Sequence, residues 1–352
     1  MERKQLIGDA EAILNLLAKV EERFGKYIDQ LDYDAIQRGE RPEKYDLLAT
    51  RVVNNVVMYL NGGVPYKGAH ILPSAIEMMH GLSSIILPLY TWKHSKRIYK
   101  FDDDTAKLLR RQKIGDMKMN NSLFMHIPAN GMCIIANIFG GLRAIFVCRD
   151  NLDVHTFQEE SDTPIIDFAL DFFVLDLSEY KRNITSKNSD ISLERFVIAI
   201  REGKSFTECI NDGFTSTYAK DRSPGEIRTI ILQCLNLLMY ICADNADIIE
   251  SDKPTPVNLN SDRSKQYKEV KQADVGINIG RAIRKIYTVS VSGNTSHKTK
   301  APHFRSGHWQ RYWIGPRNDP EKRKQITHWV APIFVNGFTG DNKSTNIRPI
   351  EE

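Results

Sequence analysis

The spacing of apolar residues changes along this 352-residue chain, and the change limits the folds open to it. Before Asn120 apolar residues recur every three or four positions, a period typical of amphipathic helices. After Asn120 they form short runs bounded by turn residues, which is typical of an antiparallel meander. We therefore predict an α+β fold in which N-terminal helices pack on a central antiparallel sheet. The predicted strands are Leu123–Ile127, Met132–Ile138, Leu142–Val147 and Ile165–Leu177.

Helices are predicted before and after these strands in the sequence. The first has apolar residues spaced alternately by four and three, which favours a helix folded back on its own chain over a coiled coil with a partner. The triplet Asp102-Asp103-Asp104 suits the positive end of a helix dipole better than a metal site. Gly276 and Gly280 do not indicate a phosphate-binding loop, because no strand is clearly predicted before them and the Lys-Ser/Thr ending is missing. They are predicted to begin a helix instead. The main predicted helices are Lys4–Tyr33, Tyr45–Leu60, Ala69–Tyr90, Phe206–Phe214 and Gly225–Ala243.

Changes in composition divide the chain into four predicted regions. Residues 1–120 form a helical N-terminal region, and residues 121–250 form the central sheet with its covering helices. Residues 251–300 begin as a polar, proline-containing linker and continue into a basic helix. Residues 301–352 form a basic, β-rich C-terminal module that is dense in His, Trp and Arg.

The positive charge is concentrated near the C-terminus. The whole chain has a formal charge of +4, whereas eight Lys or Arg against two Asp or Glu give His297–Val330 a local charge of +6. The remainder is then at −2, since 4 minus 6 is −2. An anionic partner is therefore expected to bind near the C-terminus.

Cysteine usage and hydropathy exclude several classes of protein. The five cysteines are widely spaced and form no CxxC pair, which predicts neither a disulfide framework nor a zinc ribbon and fits a reducing cytoplasm. The longest apolar run, Ile230–Ala243, is interrupted by Gln233 and Asn236 and is too short to span a bilayer. Because the N-terminus also lacks a signal-peptide pattern, we expect a cytoplasmic protein without membrane partners or cofactors.

The segment Pro302–Asn336 concentrates rings, imidazoles and basic side chains. It contains three of the four tryptophans and three of the nine histidines. Strand alternation between two glycines would place His308 on one face and Trp309 on the other. A second strand around His328 would complete a hairpin. Its register decides whether His328 shares a face with His308 or with the tryptophans.

These side chains suit RNA, and also suit a peptide. Basic groups neutralise phosphates, and exposed aromatic faces stack on unpaired bases. The candidate RNA- or peptide-binding residues are Trp309, Arg311, Tyr312, Trp313, Arg317, Lys322, Arg323, Lys324 and Trp329. If the surface is catalytic, two histidines would act as general base and general acid on a 2′-hydroxyl without a metal, and an arginine would stabilise the developing charge. The candidate catalytic residues are His303, Arg305, His308 and His328.

Structural and metal-binding interpretations compete with these roles. The tryptophans would then form the core of a small sheet, and each histidine would hydrogen-bond to backbone. A zinc site built from the C-terminal histidines is disfavoured, because the short paired spacing of ligand motifs is missing. Asp167 and Asp171, with Asp176, would suit a divalent ion, but solvent-facing alternation on a strand accounts for them as well. We therefore predict no bound metal.

Three motifs in the C-terminal segment resemble a known family. They are Pro302-His303-x-Arg305-x-Gly307-His308-Trp309, then Tyr312-Trp313-x-Gly315, then Trp329-x-x-Pro332-x-Phe334-Val335-Asn336. They resemble the C-terminus of type V-A anti-CRISPR proteins, with homologues on phages and plasmids, that suppress biosynthesis of the type V-A effector nuclease. Weaker similarity extends over nearly the whole chain. The chain differs from the family pattern at His328, where an arginine is typical, and in its longer basic loop and tail.

This resemblance implies a counter-defence protein of a mobile element, acting in the cytoplasm of a bacterial host. Such a protein recognises the nascent N-terminal peptide of the effector at the translating ribosome and promotes loss of the mRNA. Three alternatives stay open: an RNA-binding protein with a different transcript target, a metal-independent endoribonuclease, and a non-catalytic peptide-binding adaptor that recruits a host ribonuclease.

Overall fold

The fold comes from a computed structural model. It describes residues 8–22, 89–118, 124, 127–128, 131–150, 168–183, 193–201, 203–212, 214–217, 222–251, 255–256, 269–290, 303–305, 307–319, 322–330 and 333–335.

A central sheet organises the molecule. Its strands are β1 (Arg97–Phe101), β2 (Met132–Ile138), β3 (Gly141–Asp150), β4 (Phe168–Asp176), β5 (Leu193–Ile200), β6 (Phe214–Thr217), β7 (Ile248–Glu250), β8 (Thr255–Pro256) and β9 (Glu269–Val275). Within the described residues these nine strands have the order β6-β5-β4-β3-β2-β1-β9-β7, and β8 also pairs with β9. The strands that follow β6 in the chain thus lie on the β1 side of the sheet.

Strands β2 to β6 form an antiparallel meander, in which β2, β3 and β4 were predicted as strands and β5 and β6 were not. The turn between β2 and β3 consists of Phe139 and Gly140, with φ of 53° and 78°. Two residues of positive φ match the twist of a tight hairpin. The predicted strand Leu123–Ile127 lies largely outside the described residues, and Phe124 within it is helical. The sheet is mixed, because β1 pairs in parallel with both β2 and β9.

Helices cover both faces of the sheet. They are α1 (residues 9–22), α2 (residues 89–95), α3 (Asp103–Leu109), α4 (Leu177–Asn183), α5 (Phe206–Asp212), α6 (Pro224–Cys242) and α7 (Ile277–Ser290). Apolar residues of α1, α2 and α4 pack on one face, and those of α3, α5 and α6 pack on the other. This arrangement confirms the predicted α+β fold, with its N-terminal helix on the sheet. It also explains why β4 is an almost continuous apolar run, since both of its faces are covered.

Helix α6 is the central helix of the core. A capping box begins it: the Ser223 hydroxyl accepts from the Glu226 backbone N–H (3.3 Å), and the Glu226 carboxylate accepts from the Ser223 backbone N–H (2.7 Å). Pro224 occupies the first turn, where no N–H partner is needed. By length and composition alone α6 would suffice to cross a bilayer, yet 67% of its most apolar window is buried inside the fold. It therefore serves as a core helix.

Helices α3 and α7 pack closely because glycines lie between them. Asp102 caps α3 as predicted, accepting from the backbone N–H groups of Asp104 (3.0 Å) and Thr105 (3.3 Å). A Cβ at Gly280 would collide with the Asp102 carboxylate. Arg284 of α7 donates to Asp102 (2.9 Å) and to Asp104 (2.7 Å). The aspartate triplet is thus a helix cap that also holds α7.

The aspartates of β4 have structural partners. Asp171 is buried and accepts from Nε (3.1 Å) and Nη2 (2.9 Å) of Arg195 on β5. Burial raises the pKa of Asp171, an effect that the Arg195 guanidinium opposes. Asp176 pairs with Arg143 and accepts from the Glu179 backbone N–H at 2.8 Å. These contacts favour the structural interpretation of both aspartates, while Asp167 lies outside the described residues.

Other predictions can be compared with the structure only where their residues are described. All five cysteines are free and buried. In the described part of the chain, no group of three or more His, Cys, Asp or Glu is arranged to hold a metal ion. The predicted helix Tyr45–Leu60 lies outside the described residues, as does most of Ala69–Tyr90. The four region boundaries stay predictions.

Candidate functional site

The C-terminal segment forms two small antiparallel sheets. β10 (His303–Arg305) pairs with β13 (Ile333–Val335), and β11 (His308–Ile314) pairs with β12 (Lys324–Val330). We call the β11–β12 pair the C-terminal hairpin. Its register opposes Trp309 to Trp329 and Gln310 to His328. Of the two registers considered from the sequence, this one puts His308 and His328 on one face and the tryptophans on the other.

The tryptophan face of the C-terminal hairpin docks on α6. Trp329 is 1% exposed, and its ring meets that of Tyr240 edge-on with centroids 5.3 Å apart. Trp309 is partly buried, and its indole N–H donates to the Asn236 side-chain oxygen at 3.1 Å. An isolated two-stranded hairpin is only marginally stable in water, so this docking holds the strands in place. Trp309 and Trp329 therefore have a structural role.

An asparagine just after α6 clamps the same hairpin. The Asn245 side-chain amide donates to the Trp329 carbonyl at 2.7 Å, and its oxygen accepts from the Trp329 backbone N–H at 3.4 Å. One side chain thus replaces both hydrogen bonds that a further strand would make at this position. Asn245 links the hairpin to the core through backbone atoms, so its contribution is independent of the side chain at 329.

The opposite face of the hairpin is polar and open. Here His308 is exposed, and the Tyr312 hydroxyl donates to the Gln310 side-chain oxygen at 2.8 Å. The Tyr312 and His328 rings meet edge-on with centroids 5.6 Å apart. His328 Nε2 lies 3.6 Å from a carboxylate oxygen of Asp244. Since His308 and His328 are diagonal neighbours, a single ligand can reach both imidazoles.

The tip of the hairpin is aromatic and basic. Trp313 is 58% exposed although it lies on the tryptophan face, because the strands extend past the point where they dock. The Arg323 guanidinium lies over its ring, 5.3 Å from the centroid. Such a cation–π contact is worth about 0.5–1 kcal/mol at an exposed site. Tyr312 and Ile314 are also exposed large side chains, so the tip presents an apolar surface flanked by positive charge.

The remaining candidate residues have different positions. Arg317 is exposed in the connecting loop, and Arg311 is partly buried. Lys322 pairs with Asp319 at 2.8 Å, which partly neutralises it. Lys324 begins β12, and His303 and Arg305 lie in β10 opposite Val335 and Ile333. The side chains of these last three candidates lie outside the described part of the structure. Whether the four catalytic candidates act together stays a prediction.

A comparison with protein-family models identifies the chain. Residues 99–337 match the AcrVA2-like family, described as the anti-CRISPR type V subtype A2 family. The match covers the central sheet from β1 onward and both small C-terminal sheets. The chain belongs to the anti-CRISPR type V subtype A2 family.

Two individual proteins are also similar to this chain. The crystal structure of AcrVA2 superposes with a TM-score of 0.59, covering 94% of this chain and 100% of that chain at 16% identity. This similarity concerns the fold. Protein FinQ of Escherichia coli is 23% identical over 302 residues, which is 76% of this chain and 81% of the relative.

Sequence reasoning missed the docking residues of this anti-CRISPR family member. Asn236, Asn245 and Asp244 lie in or just after α6 and were not candidates, because their partners are about 80 residues away in sequence. One signal was available: Asn236 interrupts the apolar run Ile230–Ala243, as Gln233 does, and a buried polar residue needs a partner. The partner of its side-chain oxygen is the indole N–H of Trp309, and its amide donates to the carbonyls of Gln112 and Leu232.

Proposed function

We propose that this protein is a counter-defence factor of a mobile element that lowers production of a type V-A CRISPR effector nuclease. In this proposal it recognises the nascent N-terminal peptide of the effector in the host cytoplasm and promotes loss of the translating mRNA. Membership of the anti-CRISPR type V subtype A2 family supports the counter-defence role. The proposal assigns the RNA contact to the exposed face and tip of the C-terminal hairpin.

The observation that carries this assignment is the exposure of the hairpin tip. Trp313 is 58% exposed in a protein whose other described tryptophans, Trp92, Trp309 and Trp329, are buried or partly buried. An exposed indole beside an arginine offers a flat stacking surface, and unpaired bases stack on such rings at about 1–3 kcal/mol each. The local charge of +6 over His297–Val330 suits the phosphates that accompany the bases.

A reporter assay tests the proposal. The first codons of the effector gene are fused to a fluorescent reporter and expressed with or without the protein. A synonymously recoded fusion keeps the peptide and changes the RNA, whereas a fusion with the same nucleotides in a shifted frame keeps the RNA and changes the peptide. We expect silencing of the original and recoded fusions only. Silencing of the frame-shifted fusion would contradict recognition of the peptide, and no silencing of any fusion would contradict the proposal.

A second candidate is metal-independent RNA cleavage by the protein itself. It is favoured by the shared face of His308 and His328 and by the carboxylate of Asp244 beside His328. A carboxylate in that position can orient the imidazole ring for proton transfer. Purified protein and labelled effector mRNA, without ribosomes or extract, would then give EDTA-resistant cleavage that His308→Ala or His328→Ala abolishes. Intact RNA in this assay would assign the degradation to a recruited host ribonuclease.

A further inference from the structure

A second stretch of positive charge lies at the end of α3, far from the C-terminal hairpin in sequence. Residues 105–120 contain five Lys or Arg and one acidic residue, Asp116, which gives them a local charge of +4. The whole chain has +4 and His297–Val330 has +6, so the rest of the chain is at −6, since 4 minus 6 minus 4 is −6. The positive charge is therefore concentrated in two stretches of an otherwise acidic chain.

Four of these cations form what we call the α3 basic segment: Lys107, Arg110, Arg111 and Lys113. Arg110 is partly buried and the other three are exposed. Within the described residues none of the four side chains has an ion pair or a hydrogen bond. The dipole of α3 favours a cation in its last turn, which accounts for Lys107, but Lys113 lies beyond its reach. The segment is thus free to bind an anion.

The α3 basic segment meets the C-terminal hairpin at Asn236 of α6. The Asn236 amide donates to the Gln112 carbonyl at 3.3 Å, and its side-chain oxygen accepts from the Trp309 indole N–H at 3.1 Å. Gln112 lies between Arg111 and Lys113 in the chain. One buried amide group therefore separates the basic segment from the tryptophan face of the hairpin, and the two positive stretches are neighbours in space.

Backbone contacts hold the α3 basic segment in place. The Gln112 N–H donates to the Leu109 carbonyl at 2.9 Å, which continues the turn past the end of α3. Just beyond the segment, the Thr207 backbone N–H donates to the Gly115 carbonyl at 2.8 Å, and a Cβ at Gly115 would collide with the Thr207 hydroxyl. The segment is therefore preorganised, and a surface of this kind loses little conformational entropy when it binds a ligand.

The tryptophan face connects this segment with the tip of the hairpin. Trp309, Arg311 and Trp313 alternate along β11 on that face, and at ~3.3 Å per residue the two tryptophans are about 13 Å apart. Arg311 lies midway between them. Surfaces that bind single-stranded nucleic acid combine basic groups along the backbone with rings on which bases stack, over about 4–16 nucleotides. The order of ring, arginine and basic segment has this pattern.

We propose that the α3 basic segment and the C-terminal hairpin form one continuous surface for single-stranded RNA. A base stacks on Trp313, and the phosphates that follow it contact Arg311 and the α3 basic segment. The proposal rests on the RNA contact of the proposed function and extends it to a part of the chain that this contact does not include. RNA fits better than an acidic peptide, because an acidic peptide has no bases to stack on Trp313. Single strands are favoured over duplexes, because their bases are free to stack on a protein ring.

Fluorescence anisotropy of a labelled oligouridylate of about 12 nucleotides, titrated with the full chain at several salt concentrations, tests the proposal. Each phosphate contact with a single strand adds about 0.7 to the magnitude of the slope of log affinity against log salt concentration. We expect Arg111→Gln to lower this magnitude by about 0.7 and Arg111→Gln/Lys113→Gln to lower it by about 1.4. Relative to the affinities at about 1 M salt, the double variant should then bind about 25-fold more weakly at about 0.1 M salt.

The matched control is Arg182→Gln. Arg182 is an exposed arginine in the last turn of α4, another seven-residue helix, which packs on the opposite face of the sheet. It should leave both the slope and the affinity unchanged. Because the substituted side chains are exposed, all these variants should keep the melting temperature of the wild-type chain.

The outcomes separate this proposal from the RNA contact on which it rests. If Trp313→Ala lowers the affinity while Arg111→Gln/Lys113→Gln keeps the wild-type slope, the contact at the tip stands and the continuous surface is refuted. Polyglutamate of equal charge that competes as well as unlabelled oligouridylate would also overturn the proposal, in favour of an acidic peptide. If the wild-type chain does not bind the oligouridylate, both the tip contact and the continuous surface are wrong.

Discussion

Trp329 and Trp313 lie on the same face of the C-terminal hairpin, yet the same truncation should affect them differently. Trp329 is 1% exposed and packs against Tyr240, whereas Trp313 is 58% exposed. At about 250 Å² for a tryptophan and ~25 cal/mol per Å², the buried fractions correspond to about 6 and about 2.6 kcal/mol. Both are upper values, because the unfolded chain already buries part of each ring.

Measured costs of truncating core aromatic residues set the scale for Trp329. Such substitutions usually cost about 3–5 kcal/mol in the free energy of unfolding. We expect a loss in this range for Trp329→Ala and below about 2 kcal/mol for Trp313→Ala. In the reporter assay Trp313→Ala should lose silencing while remaining folded.

Urea denaturation followed by far-UV circular dichroism measures the two losses, and limited proteolysis reports whether the hairpin has undocked. Trp92→Ala serves as the control, since Trp92 is fully buried in the opposite layer of the core. It should destabilise the fold without specifically exposing the hairpin loop to protease. Equal destabilisation by Trp313→Ala and Trp329→Ala would refute the assignment of one ring to the core and the other to a binding surface.

Three further substitutions test how the core holds the site. Asn245→Ala should release the hairpin to protease and cost about 1–3 kcal/mol, because buried backbone groups of β12 lose their partners. Asp9→Asn should cost about 1–2 kcal/mol at neutral pH, since Asp9 contacts Lys100 (2.8 Å) and Lys181 (2.9 Å). Although burial raises the pKa of Asp9, the two lysines lower it overall, below 3.8. The stabilisation from Asp9 is therefore present above pH 3.8 and is lost as the pH falls through the lowered pKa. Urea denaturation at a series of pH values measures this loss. Gly280→Ala should cost about 1–3 kcal/mol by thermal unfolding, because its methyl group would collide with the cap of α3.

The parts of the fold that depend on neighbouring sequence were predictable. Gly140 and the apolar runs on either side of it indicate the β2–β3 hairpin, and the alternation within each run sets which residues face each layer. Asp102 marks the start of α3 because a carboxylate at that position satisfies free backbone N–H groups. Each of these signals involves residues a few positions apart.

The parallel pairing of β1 with β9 was not predictable in the same way. Arg97 opposes Lys271, some 170 residues later in the sequence. The alternation of residues within each strand does not indicate which other strand it will pair with. The same limit applies to the candidate site. Alternation separated the histidine face from the tryptophan face, but which face docks depends on Asn236 and Tyr240 of α6, which only the three-dimensional contact with Trp309 and Trp329 reveals.

The central claim is that the exposed hairpin tip contacts the transcript whose loss lowers effector production. The most direct test is the half-life of an mRNA that begins with the effector codons, measured after transcription is stopped in cells with matched levels of wild-type protein or Trp313→Ala. The claim predicts rapid decay of this mRNA with the wild-type protein. With Trp313→Ala it predicts the same decay rate as in cells that lack the protein. Equally rapid decay with both proteins would contradict it.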